Sequence, residues 1–400
     1  LSAADHRRIA ALASERAVHR AFGWLHLHEA QMRRWQMEFL AIPAPPFGEA
    51  ERAAWFCDMF RELGLENAHL DRVGNALAVL HGAADGPVVM LSAHLDTVFP
   101  AGTECVPRED EARILCPGAC DNGAGLAALL GIAAALKDAE ATLPCTVLFA
   151  ANVGEEGEGD LRGMRAIFAG EFVGRIRAAI ALEGSGEATV VDRALGSRRL
   201  RVTVSGPGGH SWADAGRPNP IMALAAALVA VGTLRLPARP RTTLNVGTIR
   251  GGTSVNSIPE RATADIDLRS VSAMELDRTE LAVLHNLEAE IRAEGLELHV
   301  ERIGDRAAGA LAASSALYGS LRAVDRHLNL LTDARIGSTD ANLPLSLGVQ
   351  ALAIGAGGTG WGIHTLGEGY DPTGREVALK RVLLLLLDVC GLTAAGAMGA

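Results

Sequence analysis

Leu91-Ser92-Ala93-His94-Leu95-Asp96-Thr97-Val98 closes an apolar run that begins at Pro87-Val88-Val89-Met90. Such a run, bounded by glycine and free of charge, reads as a strand buried on both faces. A histidine and an aspartate stand where that strand must stop. Strand side chains alternate faces, so positions two apart point the same way. His94 and Asp96 are therefore expected to project together from the strand's carboxyl end, the edge at which open α/β sheets place their ligands. One H-x-D triplet carries little by itself. Its meaning depends on what else the chain brings to that edge.

Two later apolar runs end in the same way, and a third segment holds an aspartate in a tight turn at a helix start. Cys116-Pro117-Gly118-Ala119-Cys120-Asp121-Asn122-Gly123-Ala124-Gly125 opens a helix expected from Leu126 to Lys137. Its glycines resemble a phosphate loop, but the loop's lysine is missing and no strand is expected directly before it. The buried run Cys145–Ala151 leads into Asn152-Val153-Gly154-Glu155-Glu156-Gly157, and Ala178–Leu182 ends at Glu183-Gly184. Alternating strands and helices of this kind imply an α/β fold, a mainly parallel sheet with helices on both faces.

Upstream, residues 1 to about 41 are helix-forming until Pro43-Ala44-Pro45-Pro46. His26 and His28 lie in this stretch and are expected to serve surface or capping roles, because positions two apart on a helix face different ways. A helix from about Glu49 to Leu63 follows, then two strands near His69–Val73 and Ala76–His81, with Gly74-Asn75 as a hairpin turn. From about Arg193 the pattern changes to one-sided alternation. Strands at Arg198–Ser205, Thr243–Arg250, Ala262–Arg269 and Leu296–Arg302, with helices near Pro220–Leu234 and Ala273–Glu294, give the order β-α-β-β-α-β of a ferredoxin-like unit. The expected division is a discontinuous domain of residues 1–193 and 310–400, with an inserted domain of residues 194–309. In the returning segment, Gly357-Gly358-Thr359-Gly360 leads to Ile363-His364-Thr365, and a leucine-rich helix from about Arg375 to Val389 closes the domain.

The bulk numbers set limits. Four hundred residues favour two domains, and 49% apolar with 21% charged residues is the balance of a folded globular enzyme. A net charge of −10 with no basic stripe argues against a nucleic-acid partner. The apolar run Val382–Leu387 falls far short of the ~20 residues that cross a bilayer. Six cysteines without a CxxC pair point to free thiols in a reducing compartment, hence a cytoplasmic location. No signal peptide is visible, and because the chain opens at Leu1 a processed start stays open.

His94, Asp96, Asp121, Glu155, Glu156, Glu183 and His364 thus gather at strand ends or in adjoining turns. Buried charges there need partners or a cation. Imidazoles and carboxylates without thiolates suit one or two divalent metal ions, zinc first, with cobalt or manganese as alternatives. In the adjacent pair Glu155-Glu156 the side chains point apart, so one can hold a metal while the other serves as general base. Taken singly, each residue has an ordinary reading as a cap, a surface group or a solvated charge.

Taken in order, SAHLDTV, GACDNGAG, GEEGEG, ALEGSG, GGHSWAD, SVNSIPERATADIDLR and GIHTLGE resemble the co-catalytic dinuclear zinc peptidase/deacylase family. That family includes acetylornithine deacetylase, succinyl-diaminopimelate desuccinylase, aminoacylase, carboxypeptidase G and peptidase T. IPAPPFGEAERA and RVGNALA, further upstream, are also similar to it, so the likeness covers nearly all of the chain after about residue 37. The resemblance implies a zinc-exopeptidase-like catalytic domain with an inserted ferredoxin-like α+β lid/dimerisation domain. It implies His94, Asp121 and Glu183 on one metal and Asp121, Glu156 and His364 on the other, with Asp121 bridging. It further implies Glu155 as general acid/base, Asp96 orienting His94, and a cis peptide at Asp121-Asn122.

In the inserted domain the resemblance implies that His210 steadies the oxyanion in a partner subunit's site, and that Asn256 and Arg269 contact substrate. Arg269 also shares a strand face with Asp265 and Asp267, so an ordinary surface ion pair is the competing reading. Gly123 stands where many relatives have lysine, which leaves the subfamily open. The implied activity is metal-dependent hydrolysis of an amide in a small peptide or N-acyl amino acid, by a homodimer joined through the inserted domain, with no membrane partner. A carbamoyl or ureido amidohydrolase, and a binding protein that keeps the fold without catalysis, are the alternatives.

Overall fold

The computed structural model describes residues 3–396. The chain divides into two compact units, Leu1–Arg193 with Ala310–Ala400, and Ala194–Gly309.

The main sheet of the first unit is mixed. In spatial order its strands of five or more residues are Glu66–Leu70, Ala76–Leu80, Cys145–Asn152, Ala84–His94, Ile176–Leu182, Gln350–Ile354 and Thr189–Ala194, and Asp333–Gly337 also pairs with the last of these. The four central strands run parallel. The strands that flank them join antiparallel, so the expected parallel character holds at the centre and gives way at the sides. Cys145–Asn152 is buried at every position, as its unbroken apolar composition requires. One face packs against helices that include Gly123–Asp138 and Arg375–Ala394. The other is covered by Leu161, by Met164 and Ile167 of the helix Arg162–Ala169, and by Ala341.

Two expectations need correction, and the helix-forming amino-terminal stretch resolves into separate helices. The amino-terminal stretch is three helices, Ala3–Ala13, Arg16–Leu27 and Glu29–Leu40. Glu15 adopts extended backbone before the second, and the His28 ring turns back onto Trp24, with Nδ1 2.9 Å from the Trp24 carbonyl oxygen, before the third. Such local side-chain bonds compete with helix continuation. The hairpin between Leu70 and Ala76 is closed by five residues, Asp71 to Asn75, because Asp71 Oδ1 accepts the backbone amides of Val73, Gly74 and Asn75 and builds a turn of its own. A strand does precede the glycine-rich turn. Arg113–Leu115 belongs to a small antiparallel sheet with Arg108–Asp110, Gly369–Asp371 and Thr359–Trp361, and three residues are too few to show a period.

The second unit is built on a four-stranded antiparallel sheet in the order Thr242–Gly251, Arg261–Ser270, Gly196–Ser205, Glu297–Arg306. Numbered along the chain this is 2-3-1-4, the ferredoxin-like arrangement. The helices Pro220–Gly232 and Ala273–Glu290 pack Leu224, Val231, Leu276, Val283 and Leu287 against Leu200, Val202, Val204, Ala264 and Ile266. Asn219 Oδ1 caps the first helix by accepting from Ile221 and Met222, with Pro220 at its first position. Among the described residues no helix is long and apolar enough to cross a membrane.

Candidate metal centre

Parallel pairing brings the carboxyl ends of the central strands to one edge of the sheet. His94 is the last residue of its strand, Glu183 directly follows Leu182, and Glu155 and Glu156 stand in the turn after Asn152. Asp121 reaches the same edge from the turn before the helix Gly123–Asp138. Asn122 ties that turn down. Its Oδ1 accepts from Gly125 and Gly184, and its Nδ2 donates to the Leu182 carbonyl at 2.8 Å. A side chain at Gly125 would put Cβ 2.6 Å from Leu182 O, so only glycine allows this approach. The Asp121-Asn122 peptide is cis. His364, with a φ of 65°, comes from the loop after Thr359–Trp361.

The side chains converge. His94 Nε2 lies 3.2 Å from Asp121 Oδ1 and 3.4 Å from Glu183 Oε1. His364 Nε2 lies 3.0 Å from Asp121 Oδ2 and 3.2 Å from Glu156 Oε1. Asp121 therefore offers one oxygen to each histidine. The atoms form overlapping groups able to hold metal ions: His94, Asp121 and Glu183; Asp121, Glu156 and His364; and His94, Glu155 and Glu156. Among the described residues His94 Nε2 and Asp121 Oδ1 are buried without a hydrogen-bond partner. Buried polar atoms that face each other in this way are arranged as ligands around a cation. The donor set of two imidazoles and several carboxylates fits two divalent ions of the zinc type.

The charges perturb one another strongly. Burial alone would lower the His94 imidazole, yet Glu183, Asp121 and Asp96 hold it well above its usual value. Burial would raise Asp121, but His364 and His94 hold it well below the ordinary carboxylate range. Burial pushes Glu156 up to about 7, with Asp121 adding to the rise. The hydrogen bond to Asp121 lifts His364 to about 9. Asp121 and Glu183 open onto a cavity of about 270 Å³ whose walls include Val191, Ile336, Ile354 and Ile363.

Asp96 lies beneath the glutamate pair. Its carboxylate accepts the backbone amides of Glu155 at 3.0 Å and Glu156 at 2.7 Å, and Oδ1 is 3.6 Å from His94 Nδ1. The nearer partner of that nitrogen is the Asp96 backbone carbonyl, at 3.0 Å. His210, Asn256 and Arg269 belong to the second unit. His210 and Ser257 pair across a short ladder, and Ser211 donates its amide to the Asn256 carbonyl, so His210 and Asn256 are neighbours there. His210 is exposed, and its Nδ1 accepts from the amides of Trp212 and Ala213. Arg269 donates to Asp267 at 2.7 Å, the ion pair that competes with a substrate role.

Sequence reasoning missed four supporting residues. Glu368, nearly fully buried, accepts the backbone amides of Gly118, Cys120 and Asp121 and so fixes the Asp121 turn. Asn75 Oδ1 accepts from Val153, just ahead of the glutamate pair. Asn152 donates to Asp340, whose carboxyl burial raises to about 7. Glu368 stood within the GIHTLGE segment and Asn75 within RVGNALA, but their bonds span long stretches of chain and leave no local pattern.

The model of peptidase family M20/M25/M40 matches residues 90–388. The succinyl-diaminopimelate desuccinylase of Corynebacterium glutamicum is 27% identical over 325 residues, covering 79% of this chain and 85% of that protein. A probable carboxypeptidase of Aspergillus clavatus is 30% identical over 220 residues, 50% of this chain; the match spans about half of that protein, 48% of its length. Among solved structures, the aminopeptidase PepT of Bacillus cereus superposes with a TM-score of 0.72 at 19% identity, covering 91% of this chain and 99% of that one, which shows a shared fold.

Proposed function

The chain belongs to peptidase family M20/M25/M40, its site for two divalent metal ions serves amide hydrolysis, and we propose that the amide lies in a small peptide or an N-acyl amino acid. In this reading His94, Asp121 and Glu183 would hold one ion and Asp121, Glu156 and His364 the other, with Asp121 shared between them. When bound, the ions polarise the scissile carbonyl and acidify water.

The placement of Glu155 carries the proposal. It is 3% exposed, it sits beside Glu156 on a backbone that Asp96 grips, and it groups with His94 and Glu156 within ligand reach. Glu155 takes the proton of the attacking water and returns it to the leaving amine. Asp96 keeps that glutamate and the His94 ring in place. The small cavity beside Asp121 and Glu183, with its apolar walls, supports a small substrate.

The inserted unit acts as a lid and dimerisation domain, and His210 serves a partner subunit's site. Because Nδ1 accepts two amides, the neutral ring carries its proton on Nε2, the donor that an oxyanion needs. Asn256, its neighbour, and Arg269 contact the substrate in the same reading. The free cysteines favour a reducing setting such as the cytoplasm.

The test is a hydrolysis screen on zinc-reconstituted protein with dipeptides, N-acyl amino acids and N-carbamoyl amino acids. Cleavage of one of the first two classes is expected, with Glu155→Gln inactive at unchanged metal content. Substantial turnover by that variant sinks the mechanism. Release of ammonia and carbon dioxide from carbamoyl substrates alone favours a ureido amide, and metal uptake without any hydrolysis favours a binding protein. Sedimentation of an active monomer would remove the role given to His210.

A further inference from the structure

One buried carboxylate on the His94 side of the sheet has no part in the chemistry above. Asp340 is 1% exposed and lies between the strand Asp333–Gly337 and the helix Asn342–Ser346. Its Oδ2 accepts from Asn152 Nδ2 at 2.8 Å, while its Oδ1 is buried and meets no donor among the described residues. The next residue, Ala341, packs in the apolar cluster that contains Val88 and Met90. By the two-residue period of a strand, those side chains share a face with Ser92 and His94. Ser92 Oγ and Asn152 Oδ1 are likewise buried without partners.

Half-satisfied polar atoms in such a place are costly, because each keeps the desolvation penalty without a hydrogen bond in return. A fold that retains them gains something in exchange, and Asn152 indicates what. It ends the strand Cys145–Asn152 and stands in register with His94. Its carbonyl accepts the Leu95 amide at 2.7 Å, and the chain runs on from it to Glu155 and Glu156. One asparagine thus joins the strand end that carries His94 and Asp96 to the turn that carries both glutamates. Asp340 is the residue that holds its side chain.

We propose that Asp340 is a positioning residue for the metal centre: by gripping Asn152 it fixes these two strand ends, and its carboxylate on the His94 face, ionised when cations occupy the site, strengthens the hold on them. The proposal rests on the metal assignment above. Residues behind the ligands set both their aim and the affinity of a site. Asp96 grips the glutamate turn directly, through its two backbone amides, and Asp340 acts on the same turn through Asn152.

The two parts of this role separate by substitution. Asp340→Asn keeps the shape and an oxygen for Asn152 but removes the charge, and Asn152→Ala keeps the charge but removes the grip. Zinc affinity is measured on chelator-stripped protein by competition with a chromophoric chelator, alongside the melting temperature of the zinc-free form. Each variant is expected to bind zinc about 10–100-fold more weakly than the parent. Zinc-free Asp340→Asn is expected to melt no lower than the parent, because a buried charge has been removed. Affinities within about threefold of the parent in both variants overturn the proposal, given that outer-shell losses are normally larger. So does an affinity loss that merely follows a loss of zinc-free stability. If Asp340→Asn does not fold, Asn152→Ala decides alone by the same criterion. A parent protein that takes up no zinc at all overturns the metal assignment first, and this inference with it.

Discussion

Asp96 Oδ2 accepts the backbone amide of Glu156 at 2.7 Å, so a carboxylate two residues beyond His94 holds the main chain of a glutamate that shares a candidate metal group with that histidine. Its second oxygen holds Glu155 in the same way. Asp96 is fully buried, and although burial would raise its carboxyl, His94 and these two amides hold it below the usual range.

Asp96→Ala strands both amides in the interior. Each unmet group costs about 1–3 kcal/mol, so chemical denaturation should show a loss of several kcal/mol. Turnover at saturating zinc should fall about 10–100-fold. Asp96→Asn keeps one acceptor oxygen and should fall between. Unchanged turnover in both variants would show that the glutamate turn needs no such anchor.

Glu368 anchors the Asp121 turn through three backbone amides, at 3.0, 2.9 and 2.8 Å. Glu368→Gln sets an amide donor against one or more of those N–H groups, an arrangement expected to cost about 1–3 kcal/mol. Elemental analysis should then find less zinc per chain than in the parent, because Asp121 serves both ligand groups. Full zinc loading together with parental stability would separate Glu368 from the site.

Metal uptake should release protons. In the metal-free protein His364 is lifted from 6.5 to about 9 by its hydrogen bond to Asp121. Glu156 is pushed up to about 7 by burial. At pH 7 the imidazole is charged and Glu156 is partly protonated, and both must lose protons to become ligands. Calorimetric titration with zinc in buffers of different ionisation enthalpy should register at least about one proton released per chain, with affinity falling as pH drops. For the metal-free fold the sign is the reverse. The stability that charged His364 contributes is complete below 6.5 and is lost as pH rises through about 9.

Arg381 and Asp325 form a two-pronged pair at 2.6 and 2.9 Å, both buried, which ties the carboxyl-terminal helix to the helix Ala316–His327. Asp325→Ala leaves the guanidinium buried without its counter-ion, a change that typically costs about 3–5 kcal/mol. Urea denaturation is the measurement, and a loss below about 1 kcal/mol would mean that the arginine finds other carbonyl partners.

The elements and the ligand types were legible because both are local properties. Apolar runs mark the central strands, two-residue alternation marks the sheet of the inserted unit, and His94, Asp121, Glu156, Glu183 and His364 each sit beside a strand end or turn that composition reveals. The helix breaks at Glu15 and His28 were not legible, since they depend on single backbone angles and one folded-back ring within an otherwise helix-forming stretch.

By itself the sequence determined an α/β unit, a βαββαβ insertion and a set of imidazole and carboxylate groups suited to divalent metal, because short-range periodicity and residue chemistry encode these. Only the tertiary structure decided that Asp121 faces each histidine with a different oxygen, that Asp96 grips the glutamate turn, that Asn75 and the Asn152–Asp340 bond brace that turn, and that Glu368 anchors the Asp121 turn. The reason is physical. A hydrogen bond between residues far apart in the chain forms only once packing has brought buried donors and acceptors together, and it leaves no period in the sequence.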